Sequence, residues 1–103
     1  MKDGVYEFWF DALGRARGGA LRIHGNLVDG GDTVHTVRGQ LARAGTNILA
    51  SFDIGWRPEA RHRPRPGYTM RMFGHGSETD FDLIGIGPLG LIVALRGRWR
   101  ADD

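Results

Sequence analysis

Glycine cuts this chain into short alternating segments. Seventeen of its 103 residues are glycine, more than twice the average usage of about 7%. They follow no collagen-like period. Between them apolar and polar residues alternate, and a period of two sets successive side chains on opposite faces of a strand. Val5–Asp11, Gly19–His24, the short Leu27–Val28, Val34–Ala42, Ile48–Trp56, Thr69–His75, Asp80–Ile86 and Leu91–Arg98 read in this way. Turns are expected at Leu13-Gly14-Arg15-Ala16, Gly25-Asn26, Asp29-Gly30-Gly31-Asp32, Ala44–Asn47 and Leu89-Gly90. Gly/Asn/Asp pairs at such points supply the left-handed backbone of tight hairpins.

About eight strands spaced by roughly 8–12 residues point to an all-β sandwich or barrel. Short sequential connections favour up-and-down order. Little or no helix is expected, because no segment holds a 3.6-residue period. The chain is long enough for one domain, residues 1–103, and too short for two.

One segment breaks the rhythm. Residues 57–67 read RPEARHRPRPG. Their prolines remove ladder donors, which predicts a loop. Arg57, Arg61, Arg63 and Arg65 make it the densest positive stretch and a candidate anion-binding loop. With Trp56 and Tyr68 at its ends, it raises single-stranded nucleic acid as a weaker reading. A formal net charge of +2 does not favour such a partner. Lys2 is the sole lysine among 14 basic residues. That Arg bias suits phosphates and carboxylates, but a GC-rich gene accounts for it more simply.

The expected chemistry is non-enzymatic. Without cysteine there is no disulfide, thiolate nucleophile or thiolate metal site. Ser77, in His75-Gly76-Ser77-Glu78-Thr79-Asp80, lacks a nucleophile elbow. His24, His35, His62 and His75 have no metal-ligand spacing and read as exposed strand or loop residues. Gly30-Gly31 and Gly85-x-Gly87 open no helix and form no dinucleotide fingerprint. No catalytic residue, metal or cofactor is expected. Asp3 and Glu7 interrupt any signal-peptide core, and no apolar run nears the ~18 residues of a membrane span. A cytoplasmic protein is therefore expected.

The alternation yields two apolar sets. Tyr6, Phe8, Phe10, Phe52, Met70, Met72 and Phe81 share one side and form the expected interior, either as packed core or as the lining of a small apolar-ligand site. Val5, Trp9, Leu49, Phe73, Ile84, Ile86 and Ile92 fall on the other. An outward apolar set needs covering, and a homodimer or other protein interface is the usual reason.

The opening Met1-Lys2-Asp3-Gly4-Val5-Tyr6 resembles the start of the GrlR-like family of negative regulators of type III secretion. Gly30-Gly31-Asp32 is similar to that family's Gly-Gly-Asp turn, and Gly39 to a glycine of its next strand. Phe81-Asp82-Leu83-Ile84-Gly85 resembles a shortened form of its Phe-x-Leu-x-Leu-x-Gly strand. Pro88-Leu89-Gly90-Leu91 with Ala94-Leu95 is similar to its closing strand. The resemblance covers residues 1–55 best and 69–97 more loosely. It implies a lipocalin-like barrel that dimerises and acts by binding a transcriptional activator. The family's acidic regulatory loop has no counterpart here: Arg43-Ala44-Gly45-Thr46 is not acidic, and the Arg/Pro segment 57–67 departs from the pattern.

Overall fold

The computed structural model describes residues 1–12, 15–58 and 66–103, apart from the side chains at 12, 15 and 16. Its strands are β1 Gly4–Ala12, β2 Arg15–His24, β3 Leu27–Gly31, β4 His35–Ala44, β5 Asn47–Trp56, β6 Tyr68–Gly76, β7 Asp80–Ile86 and β8 Ile92–Ala101. A 3-10 turn at Pro88–Gly90 joins β7 to β8. Each strand pairs antiparallel with the next, and β8 pairs with β1, so the sheet closes into an eight-stranded up-and-down barrel. Among the described residues no helix is long and apolar enough to cross a membrane.

The expected alternation holds along the wall. On β5, Ile48, Ala50, Phe52 and Ile54 are buried while Leu49, Ser51 and Asp53 are exposed. An eight-stranded barrel is just wide enough inside for side chains to fill or for one small ligand. This interior holds Tyr6, Phe8, Phe52, Met70, Met72 and Phe81, all buried, with Leu21, Ile23, Leu83 and Leu95 between them.

Two turn expectations need correction. Arg15 and Ala16 belong to β2, where they pair with Ala12 and Asp11. Residues 15–18 carry no alternation of their own, and the ladder to β1 imposes the extended form. Leu13 and Gly14 lie outside the described residues. Gly30 and Gly31 are strand residues, not turn residues. They pair with Leu21 and Ala20 on one side and with Val37 and Thr36 on the other. Their φ values of 148° and 145° fall in an extended region open essentially to glycine alone. The turn itself begins one residue later, at Asp32.

Many other glycines fill a role that reading them as punctuation overlooks. Gly19 and Gly97 flank Phe8 from its two neighbouring strands, and Gly39 pairs with Phe52. Small residues beside large rings let aromatics share a narrow lumen.

Candidate functional site

At the lower end the chain before β1 covers the barrel. The Lys2 N–H donates to the Glu78 carbonyl (2.9 Å), and the Trp99 indole N–H donates to the Asp3 carbonyl (3.2 Å). Lys2 Nζ lies 3.7 Å from the Trp99 ring centroid. Asp3 Oδ1 accepts from the Gly25 N–H at 2.9 Å. Gly4 is buried at φ 144°, where a side chain would run into the Trp99 indole. Beneath this cover the Tyr6 hydroxyl lies 2.6 Å from the Lys2 carbonyl and 3.1 Å from that of Glu78. Burial, and then the nearby charges of Glu78, Asp3 and Asp80, push its pKa up to about 12.

The upper end carries a polar network. Asp32 Oδ1 accepts from the N–H groups of Val34 (2.7 Å) and His35 (2.6 Å). His35 Nδ1 lies 3.2 Å from both carboxylate oxygens. The Arg57 Nε–H donates to the Asp32 carbonyl (2.7 Å). Burial would raise the Asp32 pKa, but the hydrogen bonds from the His35 and Val34 N–H groups and from the His35 ring, with its charge, outweigh it and hold the carboxyl below its ordinary value. Tyr68 is shifted the other way, raised by burial and by the Asp32 charge. The His35 ring tilts against Trp56 at 4.4 Å. His35 is thus half-buried within a network, where an exposed strand residue was expected. Asp-x-x-His across a turn was the available signal, and metal-ligand spacing rules do not detect it.

The network borders a cavity that enters the barrel. Phe10, Val37, Phe52, Ile54, Tyr68, Met70 and Met72 line it, with Asp32 and His35, and its volume is about 30 Å³. Phe10 is only half-buried here, whereas the other six residues of its set are core. That volume suits roughly two water molecules. Small-molecule pockets run to roughly 300–1,000 Å³. The lumen is filled by side chains.

The Ser77 hydroxyl closes a turn. It donates to Asp80 Oδ1 (2.6 Å) and accepts from the N–H groups of Thr79 and Asp80. Among the described residues no three His, Cys, Asp or Glu side chains gather as a metal site. Of the arginine loop, Arg57 is committed to Asp32, and Arg61, Arg63 and Arg65 lie outside the described residues.

The outer wall divides its expected set. Ala42, Leu49, Phe73, Ile84 and Ala94 stand in register on β4, β5, β6, β7 and β8, an uncharged row across five strands. Leu49 is 65% exposed, Phe73 56% and Ile84 48%. Ile86 and Ile92, paired on β7 and β8, extend the patch upward and are also exposed. Trp9 stands beside it, opposite Arg96. Val5 lies apart, half-buried between Arg22 and Ala101. Leu89 adds an expectation that was missed. It is almost fully exposed at the tip of the β7–β8 turn and holds a left-handed φ of 64°.

Compared with models of known families, the sequence matches none, and no curated protein matches it.

Proposed function

We propose that this barrel is a non-enzymatic regulatory domain that works by binding protein, with the outer wall of β5–β8 as its contact surface. The observation that carries this reading is a contrast. The lumen has room for little more than water, while large apolar side chains stand exposed in adjacent rows outside. Scattered surface hydrophobics need no explanation, but a contiguous patch does. The resemblance to the GrlR-like family supplies the kind of regulation, namely restraint of a transcriptional activator.

The test is transcript measurement in the native host. Deleting the gene raises a defined set of transcripts, and overproduction lowers the same set. Phe73→Glu with Leu49→Glu abolishes the effect while leaving the fold intact, because both side chains point to solvent. Unchanged transcripts, or full activity of the double variant, would overturn the proposal.

A further inference from the structure

The cavity at the upper mouth is polar at its rim and apolar in its depth. Asp32 follows β3, His35 opens β4 and Tyr68 opens β6, so all three stand at one end of the barrel. They line the cavity with Leu21, Val37, Phe52, Met70 and Met72, which lie further in. A buried water makes about three hydrogen bonds. The deep part of the recess offers no polar side chain, so it suits carbon better than water.

The rim carries a charge. The Asp32 side chain is 7% exposed, and a carboxylate taken out of water calls for a cation. The fold does not supply one of fixed charge. Among the described residues the arginine ion pairs lie elsewhere, at Arg22, Arg43, Arg96 and Arg100. Arg57 reaches Asp32 at its main-chain carbonyl, not at its carboxylate. His35 is the single basic neighbour, and its ring donates a hydrogen bond even when neutral.

One carboxylate oxygen has capacity to spare. Oδ1 meets the N–H groups of Val34 and His35 and the His35 ring, whereas Oδ2 meets the His35 ring alone. A carboxylate offers about four acceptor sites. The charge is also felt across the mouth, where burial and then Asp32 raise the Tyr68 pKa.

We infer that this mouth binds a short primary alkylammonium ion, its charged head on Asp32 Oδ2 and a two-carbon tail in the recess. The cavity of about 30 Å³ suits roughly two water-sized groups, which sets the tail length. Aromatic lining from Phe10 and Tyr68 adds to the attraction of a cation. A hydroxyl or carboxyl on the tail is refused, because among Phe52, Met70 and Met72 it finds no partner. A lysine side chain carries its ammonium at the far end and enters the wrong way round. The ligand class is therefore a free amine with a bare, short tail. The site lies inside the barrel mouth and is independent of the protein-binding reading of the outer wall.

Ethylammonium chloride, titrated into the whole protein at neutral pH and constant ionic strength, tests this. The methyl NMR signals of Met70 and Met72 and the ring signals of His35 and Tyr68 are followed. Three heavy atoms limit the dissociation constant to the order of 1 mM. Saturable shifts at both depths of the mouth are expected. Ethanol, 2-aminoethanol and n-butylammonium are expected to bind about tenfold more weakly or worse, the cost of a lost charged contact, a buried hydroxyl or an overlong tail. Asp32→Asn, which keeps an acceptor for the turn N–H groups, is expected to lose a similar factor. The series of amines in the wild type reads the site even if that variant fails to fold. Absence of saturable shifts with ethylammonium overturns the site. Equal binding of ethanol, or by a folded Asp32→Asn, overturns the role of the charge. Binding of Nα-acetyl-lysine methylamide as tight as that of ethylammonium overturns the inward tail.

Discussion

Gly97 on β8 lies directly beneath the ring of Phe81, its register partner on β7. A methyl group built on Gly97 would overlap that ring. Gly97→Ala is therefore expected to destabilise the barrel by about 1–3 kcal/mol, the usual cost of overpacking. Urea unfolding measures it. Adding Phe81→Leu to Gly97→Ala should recover part of the loss, because the two changes share one space. Strict additivity of the two costs would show that the ring and the missing methyl do not compete.

Tyr6 sets the alkaline limb of stability. Its folded pKa of about 12 lies above the ordinary 10.0. Its contribution is therefore complete below pH 10 and is lost as pH rises toward 12. Tyr6→Phe removes the hydrogen bond to Lys2 and should cost roughly 1 kcal/mol at neutral pH. The variant should also lose stability less steeply between pH 10 and 12. An identical slope in both proteins would count against this role.

Asp32 governs the acid limb. Its folded pKa lies below 3.8, so its contribution is present above that value and disappears as pH falls through the folded pKa. Asp32→Asn keeps an acceptor for the Val34 and His35 N–H groups but discards the charge beside His35. A loss of about 1–2 kcal/mol at neutral pH is expected, from weakened charge-assisted hydrogen bonds. The dependence below pH 4 should flatten. Thermal melts across pH 2–7 would reveal either pattern.

The packed lumen makes its own prediction. Benzene, followed by ligand-detected NMR, should show no saturable site in the wild-type interior. Phe52→Ala deletes a buried ring beside the 30 Å³ cavity. It should cost about 3–5 kcal/mol and open a benzene site. Saturable binding by the wild type would reopen the carrier reading.

The barrel was legible because alternation is a local property. Ile48 to Ile54 reveals its buried face without knowledge of any neighbour, and so does Tyr6 with Phe8. Strand order followed from short connections alone. The lapses occur where a partner strand decides the outcome. Arg15–Gly18 extends because β1 offers a ladder. Gly30 and Gly31 look like a turn until Leu21 and Val37 are found pairing with Gly30. The outer set was named correctly as outward-facing for Leu49, Phe73 and Ile84. That these three share one row is a matter of register, which only the folded sheet discloses. The Asp32–His35–Arg57 network joins residues 25 positions apart, a separation no local pattern spans.

Because β8 hydrogen-bonds to β1, every strand already has a neighbour on each side. Among the described residues no whole strand lies at an open edge, and one-sided stretches are short, at residues 15–19 of β2 and 68–71 of β6, so the sheet offers little room for strand addition. Recognition on the β5–β8 wall then falls mainly to side chains. Such recognition can be rewritten one residue at a time without disturbing the ladder that keeps the protein folded. On the proposed reading of β5 to β8 as the contact surface, a change of partner lies within reach of a few substitutions there.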